Sequence, residues 1–370
     1  MPSTGPSTTA CAVAILLASC GSTFADVSFT PLGDLPGGSF YSSAGDISSD
    51  GSVIIGISAA PSAIKPMAFR WTRETGMTAL GALPAPVPDS WPLDISGDGR
   101  TVVGMSLVSS AIKPVKWIDG SGPIALPISS STARAIGVSA NREVIVGSDD
   151  LGLPEAVIWR GDQPVRYLGF LPGQTESRAM TVSHDGSLVV GWGEGPGVRR
   201  SAFRWTEADG MRPFDPPEAV VKMSIPDAFS DDGLTIVGRS TNFEACRWTA
   251  ATGTVLLPDI DGVLTVHDAY AVSADGSTIG GSGRTDSTNE GFIWTLSGGT
   301  ELAFDFFTRH GLDLSGWQIT VIAGISANGK TFTGTGVHDG VTEAFVAVIP
   351  APGTTLLLFA GFAASRRRAR

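Results

Sequence analysis

The sequence predicts an all-β fold, a seven-bladed β-propeller of four-stranded blades that the N-terminal strand closes into a ring. Three observations predict it. A phrase of Ser-x-Asp-Gly, an apolar run and a further Gly recurs about every 45 residues, a period typical of propeller blades. A Trp follows every copy except the last. The chain also contains 47 Gly and 24 Pro among 370 residues, which indicates many turns and few long helices.

The seven copies of this phrase set the number of blades. They begin at Ser48, Ser96, Ser139, Ser183, Ser230, Ser273 and Ser326, and their apolar runs end at Gly56, Gly104, Gly147, Gly191, Gly238, Gly280 and Gly334. The acidic or amide position of the phrase holds Asp50, Asp98, Asn141, Asp185, Asp232, Asp275 and Asn328. The Trp residues are Trp71, Trp117, Trp159, Trp205, Trp248 and Trp294.

The first repeat shows the elements of one blade. Residues 44–48 and the β-branched residues 53–57 predict two strands, joined by the tight turn at Asp50-Gly51. Residues 67–72 predict a third strand and residues 78–80 a fourth. Four short strands in each repeat favour a propeller, since a sandwich would not repeat its sequence.

The last repeat contains three strands, and the ring needs a fourth. Residues 27–32 supply a spare strand near the N-terminus, followed by Gly33-Asp34-Leu35-Pro36, which matches the segments after the fourth strands of repeats 1 and 3. We therefore expect this strand to complete the seventh blade and remove its exposed edge. The predicted propeller covers residues 26–349, with one helix-compatible segment at residues 301–310 before Gly311.

The first 25 residues carry no charged side chain and are typical of a signal peptide, with cleavage between Ala25 and Asp26 by a signal peptidase. A competing interpretation is a lipoprotein signal. Leu17-Ala18-Ser19-Cys20 resembles a lipobox, which would place a lipid on Cys20. Both alternatives predict export.

Residues 350–370 form a second sorting segment. Pro350 and Pro352 precede an apolar run at residues 354–364, which is shorter than the roughly 20 residues of a membrane-spanning helix. Arg366, Arg367 and Arg368 follow it. This tail resembles the PEP-CTERM signal. The resemblance implies a Gram-negative-type bacterium, transient association with its inner membrane, removal by an exosortase-like protease, and a secreted or cell-surface protein.

The formal net charge of −11 makes nucleic acid an unfavourable partner. Cys11 and Cys20 belong to the predicted signal peptide, which leaves Cys246 without a partner for a disulfide. The sequence has no metal-binding spacing, P-loop or nucleophile motif. It therefore predicts no cofactor, no metal and no catalytic residue.

The body of the chain resembles the extracellular HAF repeat. The resemblance lies in residues 32–38, in Ile47-Ser48 with Asp50-Gly51, and in Ala68-Phe69-Arg70-Trp71. It implies a secreted or surface protein and transfers no catalytic residue.

The repeated residues are interpreted as scaffold. The Asp and Asn side chains suit hairpin turns, with calcium binding as the alternative, since carboxylates are calcium ligands. The Trp residues suit packing between blades.

Candidate ligand-binding residues lie outside the repeat. Trp91 and Trp192 fall in the predicted connections at residues 85–92 and 192–200. Asp89, Asp227, His267 and Asp268 are further candidates near the expected long-loop face, and His267 and Asp268 fall in the predicted connection at residues 259–268. The connections on this face vary most, and residues 281–291 form another long one.

Three functions remain open. The first is a non-enzymatic surface or matrix protein that binds a glycan, a matrix polymer or a surface protein. The second is a secreted carbohydrate-active hydrolase or lyase that uses carboxylates such as Asp89, Asp227 or Asp268. The third is a passive structural spacer.

Overall fold

The computed structural model describes residues 27–59 and 65–349. Seven four-stranded antiparallel sheets form a seven-bladed β-propeller, as predicted. The predicted signal peptide with Cys20, Ala25 and Asp26, and the tail with Pro350, Pro352 and its Arg cluster, lie outside the described residues.

Each blade follows the chain from an inner first strand to an outer fourth strand, except the last. Blades 1 to 3 are β2 Ser42–Ile47, β3 Val53–Ala59, β4 Pro66–Thr72 and β5 Gly76–Ala79; β6 Asp89–Ile95, β7 Thr101–Val108, β8 Ala111–Ile118 and β9 Ile124–Ala125; β10 Ala133–Val138, β11 Val144–Asp149, β12 Glu155–Arg160 and β13 Arg166–Tyr167. Blades 4 to 6 are β14 Glu176–Val182, β15 Leu188–Gly195, β16 Val198–Thr206 and β17 Gly210–Pro213; β18 Met223–Phe229, β19 Thr235–Ser240, β20 Ala245–Thr249 and β21 Gly253–Leu256; β22 Thr265–Val272, β23 Thr278–Arg284, β24 Asn289–Thr295 and β25 Gly299–Leu302. Blade 7 is β26 Trp317–Ile325, β27 Thr331–His338, β28 Val341–Val348 and the N-terminal strand β1 Ser28–Pro31.

The strand β1 closes the ring, as the sequence predicts. It pairs antiparallel with β28, from Ser28 opposite Val348 to Pro31 opposite Phe345. The Phe29 ring stacks on Phe345 at 4.9 Å between centroids and meets Trp317 edge-on at 5.0 Å. Pairing with β1 therefore leaves β28 without an exposed outer edge.

The repeated Ser and Asp form the same turn in every blade. Each turn Ser Oγ donates to Oδ1 of the Asp or Asn two residues later, at 2.5–2.9 Å. The same Oδ1 accepts the backbone N–H two residues further on, at 2.9–3.1 Å. In blade 4, the hydrogen bonds from Ser187 and Ser183 lower the pKa of Asp185 to about 2. These side chains are occupied in shaping hairpins.

The turns also join neighbouring blades. The residue after the turn Ser contributes backbone hydrogen bonds across the blade boundary: Ala327 N donates to Ser49 O at 2.8 Å, and Ser49 N donates to Gly97 O at 3.0 Å. Ala274 N similarly donates to Ala327 O at 3.0 Å. The repeated phrase thus stabilises the ring as well as each blade.

The Gly that ends each apolar run is required by close backbone approach. A Cβ at these seven positions would lie 1.9–2.1 Å from a carbonyl oxygen of the blade's inner strand. Only a residue without Cβ fits there. The positions are Gly56, Gly104, Gly147, Gly191, Gly238, Gly281 and Gly334. The prediction of Gly280 in the sixth repeat was therefore wrong by one residue, because Gly280 instead packs against Ile322 of blade 7.

The repeated Trp side chains pack against the preceding blade. Trp117 of blade 2 shares a hydrophobic cluster with Val53 and Ile55 of blade 1. Trp71 of blade 1 similarly joins Ala344 and Val346 of blade 7. The same arrangement holds for Trp159, Trp205, Trp248 and Trp294. Burial of these large rings between neighbouring sheets stabilises the contacts between blades.

One helix, α1 Ala303–Arg309, interrupts the connection between blades 6 and 7. Its buried Phe306 and Phe307 pack edge-on against Phe332, at 5.7 and 5.4 Å between centroids. The helix therefore covers the junction of these two blades. In the described part of the chain, no helix has both the length and the apolar character needed to cross a membrane.

Two predicted long connections are mainly strand. Residues 192–200 lie largely in β15 and β16, whose hairpin connection is residues 196–197. Residues 281–291 lie largely in β23 and β24. These segments are polar and rich in glycine, so they lack the alternating apolar pattern that predicts a strand. Several of their glycines are required because the neighbouring backbone approaches closely.

Candidate functional site

The inner strands of all seven blades surround one cavity of about 670 Å³. It lies at the centre of the ring, because residues of β2, β6, β10, β14, β18, β22 and β26 all line it. The lining extends to residues of the hairpin turns, such as Ser49 and Ala140. The cavity therefore reaches the side of the ring that carries the hairpin turns, whose repeated residues the sequence predicts to be scaffold.

A β-bulge at the same point in every inner strand builds the cavity wall. In blade 1, Ala44 pairs with Gly56 and Asp46 pairs with Ile55, which leaves Gly45 unpaired. The equivalent register shift occurs in the other six blades. A bulge re-aims the extra residue out of the sheet pattern. The seven bulge residues are Gly45, Leu93, Ile136, Met180, Asp227, Tyr270 and Ala323, and each lines the cavity.

The chemistry of these bulge residues divides the cavity wall into sectors. Blades 2 to 4 contribute an apolar arc of Leu93, Ile136 and Met180. Blades 5 and 6 contribute the polar side chains of Asp227 and Tyr270, whereas blades 7 and 1 contribute only Ala and Gly. The bulge is thus repeated in every blade, whereas the residue at the bulge differs in size and polarity from blade to blade.

The polar sector contains interacting acidic groups. Burial and the charge of Asp268 raise the pKa of Asp227 to about 8, against the opposing effect of Arg239. Burial and the charge of Asp268 also raise the pKa of Tyr270 to about 12. The Arg239 Nη1 atom lies 3.2 Å from Asp268 Oδ1, so this guanidinium is committed to Asp268. Near neutral pH, this raised pKa favours the neutral carboxylic acid form of Asp227.

A carboxyl pair, Asp46 and Asp94, lines the cavity between blades 1 and 2. Burial raises the pKa of Asp94 to about 6. Asp94 Oδ1 accepts Ile95 N–H and its Oδ2 accepts Val138 N–H, both at 2.7 Å, and these bonds oppose the effect of burial by favouring the ionised form. Burial, followed by the charge of Asp94 and their mutual hydrogen bond, raises the pKa of Asp46 well above its usual range. Asp46 thus holds the proton, and the pair links blades 1, 2 and 3.

The Asp46–Asp94 pair makes stability depend on pH. A carboxyl whose folded-state pKa is raised stabilises the fold most below about pH 4 and loses that contribution as the pH rises toward its folded pKa. Asp46→Asn retains a donor to Asp94 and removes this loss. We therefore expect Asp46→Asn to raise the free energy of unfolding at pH 8 and to have little effect at pH 4.

Urea denaturation of both proteins at several pH values measures this difference. The exposed Asp286→Asn is the matched control and should show no such pH-dependent gain. A gain for Asp46→Asn that is equal at pH 4 and pH 8 would contradict the shared-proton assignment.

Of the six predicted candidates, Asp227 alone lines the cavity. Asp268 lies next to it, in the ion pair with Arg239. The expectation that His267 and Asp268 lie in a connection was wrong, because both belong to β22. His267 Nδ1 is 3.1 Å from Phe243 O.

The two candidate Trp residues also lie in strands, contrary to the prediction. Trp91 is in β6, and its Nε1 donates to Asp89 Oδ1 at 2.8 Å. Asp89 is buried and its Oδ2 lies 3.7 Å from Lys65 Nζ. The polar groups of Trp91, Asp89 and Lys65 therefore partner one another, and these residues are not among those that line the cavity with Asp227.

Trp192 lies in β15 and is only 6% exposed. The guanidinium groups of Arg200 and Arg178 lie 3.9 and 5.4 Å from its ring centroid. Arg178 also reaches Asp150 of the preceding blade, at 2.8 Å. Trp192 is therefore a packed anchor between blades 3 and 4.

Sequence reasoning missed the bulge residues. They lie three positions before each turn Ser, where the seven repeats differ in size and polarity. This variation next to a constant phrase was the available signal. Among residues 27–59 and 65–349, no group of three or more His, Cys, Asp or Glu side chains is arranged to hold a metal ion.

Comparisons with known proteins extend the assignment of the fold. No family model matches the sequence, and no curated protein matches it. An oligogalacturonate lyase from Vibrio parahaemolyticus has a TM-score of 0.57 at 12% identity, over 88% of this chain and 95% of that one. The β-propeller domain of Cps50 (Swd1) from Myceliophteria thermophila gives 0.51 at 13% identity, over 82% and 95%.

Larger proteins also contain a similar structure. A prolyl endopeptidase has a TM-score of 0.55 at 12% identity, over 85% of this chain and 51% of that one. A TolB protein from Acinetobacter baumannii has a TM-score of only 0.40 at 14% identity, over 70% of this chain and 53% of that one. This chain spans about half the length of each of these two proteins. At identities this low, the structural similarity supports the class of fold, a β-propeller, and does not transfer an activity to this chain.

Proposed function

We propose that this propeller is a non-enzymatic binding protein of the cell surface or secreted matrix, and that its central cavity holds the ligand. One observation carries the proposal. The seven bulge residues are structurally equivalent and line one cavity, yet they differ between blades, whereas the turns and the interblade Trp positions are nearly uniform. Variable side chains on a rigid, repeated scaffold are the usual arrangement of a binding site.

The size of the cavity limits the ligand. A volume of about 670 Å³ falls within the roughly 300–1,000 Å³ of small-molecule sites. It suits a small molecule or the end of a polymer better than a folded protein. A glycan end fits the wall, because a sugar ring offers hydroxyl groups to Asp227 and Tyr270 and an apolar C–H face to Leu93, Ile136 and Met180.

The proposed location depends on the two terminal segments. The signal-peptide pattern ending at Ala25, with lipidation at Cys20 as the alternative, supports export across the inner membrane. The resemblance of residues 350–370 to a PEP-CTERM signal supports sorting by an exosortase-like protease. The resemblance of the body to HAF repeats supports the same placement.

A glycan array and a pull-down from extracellular matrix test this function. We expect the protein to retain a glycan or matrix polymer, and Ala323→Trp to weaken that binding by at least about tenfold, equivalent to roughly 1.4 kcal/mol. Ala323 is a small bulge residue, so an indole there would occupy the cavity.

The control variant is Ala79→Trp, on the exposed outer strand β5, which should bind as the unmodified protein does. Blank results in both assays would contradict the proposal. Equal loss of binding in the two variants would place the site outside the cavity.

A second candidate function is hydrolysis or elimination on a carbohydrate. The observation that favours it is the neutral carboxyl of Asp227 beside Asp268, which offers an acid next to a carboxylate. Asp89 does not join them, because it is paired with Lys65 and Trp91. Product release from a polysaccharide panel that Asp227→Asn abolishes would favour this candidate over binding alone.

A further inference from the structure

We infer that the cavity selects an uncharged, hydroxyl-rich ligand, the end of a neutral glycan, and rejects polyanionic glycans such as uronates. This inference rests on the proposed function and adds the chemical class of the ligand. Three features of the wall carry it: its charged groups, the hydrogen-bonding capacity of its carboxyl groups and its apolar arc.

The wall provides no permanently charged cation for a negative charge, and its only basic side chain among the described residues is His184. Among the described residues that line the cavity, none is Lys or Arg, and four are Asp: Asp46, Asp94, Asp227 and Asp231. The nearby Arg239 is committed to Asp268. A bound carboxylate, sulfate or phosphate would lose water and meet carboxyl groups without a compensating cation, which is costly.

The carboxyl groups in the wall match hydroxyl groups instead. A protonated carboxyl both donates and accepts hydrogen bonds, and so does a sugar hydroxyl. Asp227 is such a group at neutral pH, because its burial and the neighbouring charge of Asp268 hold its proton. The phenol of Tyr270, in the next blade, supplies a second donor and acceptor in the same sector.

The apolar arc accounts for the other side of the ligand. Leu93, Ile136 and Met180 occupy three consecutive blades and line the cavity. Leu93 is 37% exposed although it belongs to an innermost strand, so this surface is open to an occupant. A sugar ring is polar at its rim and apolar on its C–H faces, which is the division that the wall shows.

Several titratable groups surround Asp227 and affect how its protonation depends on pH. They lie on the strands packed against Asp227 or across the cavity from it: Asp268, Tyr270, Arg239, Cys246, Asp46, Asp94, Asp231 and His184. Burial raises the pKa of the Cys246 thiol, which keeps it neutral. Asp227 is the group expected to lose its proton near pH 8.

Calorimetry with matched glycans tests the inference. The probes are oligosaccharides of glucose, galactose and mannose, together with the corresponding uronates and amino sugars. We expect a neutral member to bind at least about tenfold more tightly than its uronate. A uronate or an amino sugar that binds more tightly than its neutral counterpart would overturn the inference but leave the proposed function standing. No binding to any member, with a blank array, would overturn the proposed function itself.

The pH profile of the best neutral probe provides a second measure. Its affinity should fall about tenfold between pH 7 and pH 9.5, as Asp227 loses the proton it donates. Asp227→Asn keeps a donor at all pH values and should flatten this profile, whereas the exposed control Asp162→Asn should leave it unchanged. A flat profile in the unmodified protein would contradict the role of Asp227.

Discussion

Gly56→Ala is expected to destabilise the protein by about 3 kcal/mol or more, because the alanine Cβ has no space. It would lie 2.1 Å from the carbonyl oxygen of Ser43 and 2.8 Å from the Phe69 ring. The ring could move, but the carbonyl belongs to the bulged inner strand of the same blade. Either β2 or β3 must shift, and both contribute to the ring. Chemical denaturation should show a lower midpoint.

A neighbouring glycine provides the matched control. Gly45 is the bulge residue of blade 1, and a Cβ there would meet its nearest atom, Ile55 O, at 3.6 Å, an ordinary contact. Gly45→Ala should therefore change the free energy of unfolding by less than about 1 kcal/mol. Equal destabilisation by the two variants would show that the close approach of the two strands does not explain the repeated glycine.

Loss of the N-terminal strand is expected to have the second large effect. A protein that begins at Leu32 lacks β1, so the backbone of β28 becomes an exposed edge and Phe345 and Trp317 lose the ring of Phe29. We expect a loss of several kcal/mol, since Phe29→Ala alone should cost about 2–4 kcal/mol. The unpaired edge should also promote association between molecules, which size-exclusion chromatography would detect.

A protein that begins at Val27 keeps the whole of β1 and is the matched control. Val27→Ala, at an exposed residue before the strand, should leave the denaturation midpoint unchanged. If the protein that begins at Leu32 unfolds like the one that begins at Val27, the ring does not depend on its N-terminal closure.

The repeated phrase explains why the scaffold could be predicted. Its Ser and Asp act within one hairpin, and its Trp packs against the adjacent blade, so the same contacts arise in each repeat. Local geometry of this kind is encoded within a few residues. Counting the copies then gave the number of blades, and the missing fourth strand of the seventh copy gave the role of β1.

The candidate site could be predicted only in small part. The choice of Trp91 and Trp192 followed from their position outside the repeat, but both are packed in strands by Asp89 or by two guanidinium groups. Asp227 was identified as an acidic residue, whereas its neighbours in the wall, such as Tyr270 and Met180, were not. Their shared position becomes apparent only when the bulge is known.

The sequence by itself determined the class of fold, the number of blades and the closure of the seventh blade by the N-terminal strand. Each of these follows from short-range patterns repeated along the chain. The tertiary structure decided which side chains face one another across the ring. Gly45 and Ala323 are far apart in sequence but lie in adjacent blades, and the bulge turns one residue of every inner strand toward the same cavity. That convergence depends on closure of the ring, which no single repeat encodes.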